Sequence, residues 1–314
     1  MQVSTMAAEA TQHLDRAIDP DAVAAAIAEP LMDSAPIAFQ TAIKRCPPMD
    51  APGSCRAYHA VWQYLRLAER TRSLRVDGSI YVAAAERLAR TGTLKRVLVT
   101  ATADYSMLAH LAFGARRGGA QPTFHIVDRC ASTLELNRWY GDRMGLAVEL
   151  TQSDVLAFKG NQAYDLVCAH SFVSWVPVED RPALFKVWRG SLSDEGRLCF
   201  STRVWQDRYR YDAEEMNERV EQVASDTIKA LADRSIPLPC DPLEFADLLK
   251  RYGRRREEHL PLPLSDIESW VSGAGLFLEV AAPAAELAAG ARDASPGPFP
   301  ISRGPRMWFQ ARAA

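Results

Sequence analysis

Two aspartates follow apolar runs of the sequence, at positions where a carboxylate could bind a nucleoside. Asp128 closes the run at 123–128, and Asp154 lies in a polar loop after a weaker run near 147–150. A carboxylate that ends a strand can accept hydrogen bonds from both hydroxyls of a ribose, because each of its two oxygens is an acceptor. A second carboxylate can accept from an exocyclic amine such as that of adenine, with Val155 lying along the base. Either aspartate alone is also typical of a helix cap, so the prediction rests on the pair.

Further candidate residues follow the same kind of apolar run. If the runs are parallel strands, their carboxyl ends share one edge of a sheet, and ligands bind outside that edge where the strand order reverses. The other residues predicted to contact the ligand are Thr100, Ala101, Ala103, Tyr105, Arg129, His170 and Ser171.

The elements that must position these residues alternate along the chain. Short apolar runs typical of buried strands are separated by longer stretches of helical composition. The strand candidates lie at 96–100, 123–128, 164–169 and 196–201, and the helix candidates between them lie at 106–117, 132–144 and 178–192. This alternation predicts an α/β fold in which a parallel sheet has helices on both faces.

The two ends of the chain depart from this alternation. Residues 1–92 have helical spacing, interrupted by one loop rich in proline and glycine, and predict a helical N-terminal cap on a sheet domain at 93–314. A polar helical region at about 212–256 precedes two last strands at 276–281 and 306–311. The connection between these strands contains several prolines and little room for a crossover helix, which favours an antiparallel return.

Composition and charge exclude several classes of protein. The chain of 314 residues is 48% apolar and 24% charged, which is typical of a soluble globular protein. Its net charge of −2 offers no broad cationic surface for nucleic acid or an anionic membrane. The start of the chain lacks a basic region followed by an apolar one, so we expect a cytoplasmic protein. The six cysteines include no Cys-x-x-Cys pair and no histidines at zinc spacing, which predicts reduced thiols packed as small hydrophobes and no metal.

The stretch at 96–204, together with the two last strands, resembles the S-adenosylmethionine-dependent methyltransferases of the Rossmann-like class. The likeness is carried by Asp128 and Asp154 at successive strand ends and by the strand candidates at 275–280 and 306–311. The resemblance implies a mostly parallel sheet of seven strands with one antiparallel strand, and S-adenosylmethionine as cofactor. It also implies the ribose on Asp128, the adenine near Asp154, and the methionine part against the first loop and the end of the fourth strand.

The first loop departs from the family pattern, because residues 100–105 contain no glycine. Glycine permits a positive φ and a close approach of backbone to ligand, so we expect alanines to serve here only where φ stays negative. The same loop excludes a nicotinamide dehydrogenase, which needs Gly-x-Gly-x-x-Gly at this turn. Residues 169–172 differ from the Asn-Pro-Pro-Tyr of methyltransferases that modify base amines.

The acceptor side offers fewer candidates. Methyl transfer from a sulfonium is an in-line displacement, so the enzyme mainly aligns donor and acceptor, and a base is needed only if the acceptor must lose a proton. His170 is the best-placed base, although a histidine at a strand end also often serves as hydrogen-bonded scaffolding. Asn137 and Ser201 could reach a polar substrate. Aromatic residues such as Tyr58 and Trp62 either close over the sulfonium by cation–π contact or pack the cap onto the sheet.

These observations predict a methyltransferase that acts on a small molecule enclosed by the cap, with a homodimer left open. Two other hypotheses also stay open. One is a non-methylating cyclase similar to azetidine-2-carboxylate synthase, in which the cofactor's own amine displaces methylthioadenosine. The other is a binding protein or sensor that retains both aspartates without turnover.

Overall fold

A computed structural model describes residues 19–71, 74, 77–161, 163–205, 213–254, 262–288 and 304–314. Its strands are β1 Arg96–Thr100, β2 Thr123–Asp128, β3 Val148–Gln152, β4 Tyr164–His170, β5 Leu192–Arg203, β6 Leu276–Pro283 and β7 Arg306–Ala313. Its helices are α1 Pro20–Ile27, α2 Leu31–Arg45, α3 Arg56–Leu67, α4 Gly78–Arg90, α5 Ser106–Arg117, α6 Ala131–Met144, α7 Arg181–Ser191, α8 Ala213–Asp233, α9 Pro242–Arg254, α10 Leu264–Gly273 and α11 Ala284–Leu287. The first 18 residues of the predicted cap and most of the connection between β6 and β7 lie outside the described residues.

The strands form one sheet with the order β3-β2-β1-β4-β5-β7-β6 in the part of the chain that the structure describes. The pairs from β3 through β5 are parallel, and β7 is antiparallel to both β5 and β6. This confirms the predicted α/β fold with a mostly parallel sheet and an antiparallel last strand. The strand order reverses between β1 and β4, which makes their carboxyl ends the expected edge of a ligand site.

Helices cover both faces of the sheet, because the central strands are apolar on both sides. Val97 and Val99 of β1 belong to one apolar cluster with α4, α5 and α6, whereas Leu98 points to the opposite cluster. That second cluster includes Phe185 and Trp188 of α7 and residues of α10. The period of two in β1 thus ties a single strand to both layers.

A third apolar cluster joins α2 and α3 to α8 and α9; we call these four helices the helical layer. It includes Cys130, the residue that follows the turn at the end of β2. The predicted polar helical region therefore forms α8 and α9, which pack with the N-terminal helices. Helix α4, in contrast, packs in the same cluster as β1 and α5. The boundary at residue 92 stays a prediction.

No single helix within the described ranges is long and apolar enough to cross a membrane, although α1 and α2, bent by 77° at their junction, pass this test of length and composition as a pair.

Candidate active site

The ends of β1 and β4 lie side by side where the strand order reverses. The residue that follows each strand, Ala101 or Ser171, has a positive φ, of 55° and 52° respectively. The Ala101 N–H donates to the carbonyl of Val127, and the Ser171 N–H donates to the carbonyl of Ser201. A left-handed conformation costs a residue other than glycine about 1–2 kcal/mol, and such strain often marks a ligand site. The expectation that alanine serves in this loop only where φ is negative is wrong at Ala101.

Asp128 connects the end of β2 to the first loop. Its Oδ2 accepts from the Thr102 N–H at 3.0 Å, and its Oδ1 accepts from the Cys130 N–H at 2.7 Å. Burial raises the pKa of the half-buried Asp128 carboxyl, and the hydrogen bonds from the backbone of Cys130 and Thr102 oppose that shift. Each carboxylate oxygen accepts one backbone hydrogen bond and has a further lone pair. The carboxylate therefore fits the two hydroxyls of a ribose.

Asp154 and Val155 lie at the neighbouring strand end. Asp154 caps a short turn at Val155–Ala157, because its Oδ1 accepts from the Leu156 N–H at 2.9 Å. Its side chain is 46% exposed, and its Oδ2 lies 3.9 Å from the exposed guanidinium of Arg129. Val155 is buried against the sheet. Asp154 thus caps the turn that follows it, and its contact with adenine stays a prediction.

The side chains of Thr100 and Tyr105 lie in the protein interior. Thr100 Oγ1 accepts from the indole N–H of Trp188 at 3.1 Å. The Tyr105 ring stacks on Tyr140, and its hydroxyl lies 2.9 Å from Ser34 Oγ. Because these side chains are engaged in the core, contact of the first loop with a ligand must come from its backbone and from the half-buried Ala101 and Ala103.

A buried ion network holds the first loop to the N-terminal helices; we call it the first-loop network. Arg66 of α3 lies between Glu29 and Asp104 and donates to both, at 2.7 Å to Asp104 Oδ2. The second oxygen of Glu29 accepts from the Ser106 hydroxyl, and that of Asp104 accepts from the Ser106 N–H. Burial raises the pKa of Asp104, but Arg66 and the Ser106 hydrogen bonds lower it below its ordinary value. Sequence analysis missed Glu29, Arg66 and Asp104.

A second network surrounds Asp77 at the N-terminus of α4; we call it the Asp77 network. Asp77 Oδ2 accepts from the Ser201 hydroxyl at 2.6 Å and lies 3.2 Å from His170 Nε2 and 3.4 Å from Arg306 Nη1. Its Oδ1 has no hydrogen-bond partner among the residues that the structure describes. Burial raises the pKa of Asp77, but Arg306 and His170 outweigh it and lower the value to about 2. Sequence analysis missed Asp77 and Arg306.

His170 contacts the Asp77 network through Nε2. Arg306 Nη1 lies 3.1 Å from that nitrogen and also donates to Ser171 Oγ at 2.6 Å. Burial lowers the pKa of His170 below its ordinary value of 6.5; Asp77 opposes this shift and Arg306 adds to it. The imidazole is therefore neutral at neutral pH. Since Nε2 faces Asp77 and Arg306, Nδ1 is the nitrogen left to act as a base.

The other two predicted acceptor-side residues are buried. Asn137 donates through Nδ2 to the carbonyl of Thr133 at 2.8 Å and to that of Asp104 at 3.4 Å. Ser201 donates to Asp77, and the Tyr81 hydroxyl lies 3.3 Å from it. Both residues are 1% exposed, so they are not open to a substrate. Their hydrogen bonds instead position neighbouring residues.

Aromatic rings form a wall beside the end of β4. Tyr58 of α3 stacks on Tyr252 of α9 with ring centroids 5.6 Å apart, and it lies 5.3 Å from Trp62 and 6.4 Å from Trp175. Trp175, on the turn after β4, is 38% exposed. Through Trp175, which follows His170 by five residues, this wall presents partly exposed apolar surface on the turn after β4.

Three cysteines and one histidine converge beside Asp128. Cys130 Sγ lies 3.5 Å from Cys46 Sγ and 3.6 Å from Cys55 Sγ, and His59 Nδ1 lies 3.3 Å from the sulfurs of both Cys46 and Cys130. These cysteines are free thiols, and Cys46 and Cys130 also lie in an apolar cluster, but the sequence did not indicate that three thiols meet at one imidazole. The pattern was hidden because its members come from three segments.

No family model matches the chain, and no curated protein does. Among solved structures, the chain is similar to the mitomycin 7-O-methyltransferase MmcR, with 14% identity over 94% of this chain and 72% of that chain and a TM-score of 0.43. It is similar to an S-adenosylmethionine-dependent methyltransferase from Clostridium acetobutylicum, with 10% identity over 80% of this chain and 96% of that chain and a TM-score of 0.48. It is also similar to a geranyl diphosphate methyltransferase, with 15% identity over 74% of this chain and 78% of that chain and a TM-score of 0.43.

These similarities concern the fold alone. The sheet itself, with its seven described strands and antiparallel β7, resembles that of the Rossmann-like methyltransferases, as the sequence predicts. Any function must therefore be argued from the residues of this chain.

Proposed function

We propose that the protein is an S-adenosylmethionine-dependent methyltransferase that acts on a small molecule. The observation that carries the proposal is the position of Asp128. Its carboxylate joins the end of β2 to the left-handed first loop at the point where the strand order reverses.

The cofactor would lie along the carboxyl ends of β3, β2, β1 and β4. Asp128 would accept hydrogen bonds from the ribose hydroxyls, and Asp154 and Val155 would contact the adenine. The backbone of the first loop and Ser171 would contact the methionine part. When bound, S-adenosylmethionine supplies an electrophilic methyl group on a sulfonium.

The chain's own residues would align and deprotonate the acceptor. His170 Nδ1 would accept a proton, while Asp77 and Arg306 hold the opposite nitrogen in a fixed orientation. Because the pKa of His170 is lowered by burial, the imidazole would be in its basic form at neutral pH. The aromatic wall of Tyr58 and Trp175 would hold an apolar part of the acceptor and exclude water.

The product formed from the cofactor tests this proposal. Methyl transfer breaks the sulfur–methyl bond and yields S-adenosylhomocysteine, whereas the cyclase hypothesis yields methylthioadenosine. With S-adenosylmethionine alone the purified protein should be nearly silent, and it should form S-adenosylhomocysteine when a metabolite extract supplies an acceptor. The Asp128→Ala variant is the control for activity from a contaminant.

Two results would overturn the proposal. Methylthioadenosine formed without an acceptor, above the level without enzyme, would favour the cyclase. Cofactor binding with neither product across metabolite extracts would favour the binding protein or sensor.

A further inference from the structure

We infer that Cys46, Cys55, His59 and Cys130 form a structural zinc site that joins the N-terminal helices to the end of β2. The four ligand atoms, three thiol sulfurs and one imidazole nitrogen, all lie within 4.8 Å of one another. Three thiolates and a neutral imidazole are a common donor set for a structural Zn²⁺.

The distances within the cluster match a tetrahedron around zinc. With Zn–S bonds of about 2.3 Å and Zn–N bonds of about 2.0–2.1 Å, neighbouring sulfurs lie about 3.8 Å apart, and sulfur and nitrogen lie about 3.6 Å apart. Two of the three sulfur–sulfur distances are 3.5 and 3.6 Å, and two of the three sulfur–nitrogen distances are 3.3 Å. The other two distances, from Cys55 Sγ to Cys46 Sγ and to His59 Nδ1, are within 4.8 Å. The four measured contacts would therefore need to expand by only a few tenths of an ångström to hold the ion, with Cys55 Sγ adjusting to the other two ligands.

The local structure points all four side chains to one place. Cys55 immediately precedes α3, and His59 lies one turn into that helix, so a spacing of four residues puts both on one face. Cys46 follows the last residue of α2, and Cys130 precedes the first residue of α6. The ligands thus come from the end of α2, the first turn of α3 and the start of α6.

The cluster is closed to solvent on most sides. Cys46, His59 and Cys130 are buried, and Cys55 is partly buried. Four protein ligands leave no open coordination position for a water or a substrate, which is typical of a structural site and not of a catalytic one. Soft thiolate ligands with tetrahedral geometry favour Zn²⁺ over Mg²⁺ or Ca²⁺, which prefer oxygen ligands.

Polar groups around the cluster suit its charge. Zn²⁺ with three thiolates and a neutral imidazole has a net charge of −1. The positive guanidinium of Arg56 lies beside the cluster, because its Nη2 donates to the Cys46 carbonyl at 2.8 Å. The Ser132 hydroxyl lies 3.1 Å from Cys46 Sγ and 3.3 Å from the Thr41 carbonyl oxygen, so turning its proton from that carbonyl to the sulfur would give a thiolate a hydrogen bond.

Neither a disulfide nor simple packing explains the arrangement. A disulfide joins two sulfurs at about 2.0 Å and does not involve a third thiol or an imidazole. The three thiols are free, and Cys130 Sγ is almost equally distant from the other two sulfurs. Thiols packed as small hydrophobes would have no reason to converge on an imidazole nitrogen.

The site would brace the edge of the sheet that carries Asp128. Cys130 donates its backbone N–H to Asp128 Oδ1, so an ion on its sulfur would fix the segment that orients this carboxylate. This link to the cofactor depends on the proposed function, but the metal site itself does not.

Metal analysis of the full chain purified without chelators tests the inference. We expect one zinc per chain in the wild-type protein and a background level in Cys130→Ser. Cys240→Ser is the matched control, because Cys240 packs against the helical layer outside the cluster and its loss should leave the zinc content unchanged.

Cobalt substitution of the wild-type protein keeps the test valid if Cys130→Ser fails to fold. We expect the strong visible bands of tetrahedral Co²⁺ with thiolate ligands, reversed by added zinc. Wild-type protein that contains no zinc and binds neither zinc nor cobalt would overturn the inference. A disulfide among Cys46, Cys55 and Cys130 found by mass spectrometry in metal-free native protein would also overturn it, in favour of a redox pair. Both readouts are independent of cofactor binding, so a failed metal site and a failed methyltransferase are distinguishable.

Discussion

The ends of β1 and β4 are neighbours in the sheet, yet the buried charges that hold them are satisfied to different degrees. In the first-loop network, all four carboxylate oxygens of Glu29 and Asp104 accept hydrogen bonds from Arg66 or Ser106. In the Asp77 network, the donors converge on Oδ2 alone, and Oδ1 has no partner among the described residues.

This difference suggests different roles for the two networks. A fully satisfied buried network fixes one arrangement, and here it holds the first loop on the N-terminal helices. A buried oxygen without a hydrogen-bond partner, such as Asp77 Oδ1, lowers stability, so its presence needs an explanation other than stability of the fold. This contrast therefore indicates a structural role for the first-loop network and favours the end of β4 as the place of the proposed chemistry.

Of the changes considered, removing the cation of the first-loop network should have the largest effect on stability. A small effect would contradict the structural role of this network. Arg66→Met leaves Glu29 and Asp104 buried without their cation, which should lower the free energy of unfolding by about 3–5 kcal/mol. Arg45→Met is the matched control, because the ion pair of Arg45 with Glu135 is exposed and should contribute only about 0–1 kcal/mol. Urea denaturation measures both, and equal losses would show that the network does not hold the loop.

The next effect concerns the chemistry assigned to the end of β4. His170→Asn should lower turnover by about 100-fold, because a general base typically contributes 10²–10⁴-fold, while cofactor affinity stays nearly constant. Since burial lowers the pKa of His170, wild-type activity should persist at pH 6.5 and fall only at lower pH, where the imidazole becomes protonated. Steady-state kinetics across pH and calorimetry separate the two quantities. Normal turnover by the variant would return His170 to scaffolding.

A smaller effect is expected from the charge of Asp77. Its pKa of about 2 lies below the ordinary 3.8, a shift that corresponds to about 2 kcal/mol of stability. Because the folded-state pKa is lowered, this contribution is present above about pH 4 and is lost as the pH falls to about 2. Asp77→Asn should therefore be less stable than the wild type at pH 7, with the difference shrinking over that range. Urea denaturation at several pH values checks this, and a difference independent of pH would show that the charge is not the cause.

Local patterns predict much of the fold. Helix α5 begins and ends where its composition indicates, at Ser106 and Arg117, and β2 ends at Asp128 as its apolar run does. The predicted helix at 178–192 is shorter, because it begins at Arg181 next to a proline in its first turn, and β5 starts at Leu192. The antiparallel pairing of β7 with β6 agrees with the prediction made from the prolines of the connection between them.

The candidate site was harder to predict from the sequence, because sequence patterns show which residues end a strand but not which charged side chains meet there. Arg66 and Asp104 belong to different elements, as do Asp77 and Arg306, and no local pattern joins the members of either pair. The thiol cluster was not indicated by the sequence for the same reason, and the absence of a metal stays a prediction that the inferred zinc site opposes. The cytoplasmic location, the homodimer and the domain boundary stay predictions.

Calorimetric titration with S-adenosylhomocysteine tests the central claim, that Asp128 holds the ribose of the cofactor. Loss of charge-assisted hydrogen bonds of about 1.5–3 kcal/mol should weaken binding by about tenfold to a hundredfold in Asp128→Ala. Asp165→Ala is the matched control, because Asp165 also accepts backbone N–H groups, those of Lys95 and Arg96, but at the opposite end of the strands. It should bind as the wild type does. A folded Asp128→Ala variant with wild-type affinity would contradict the account.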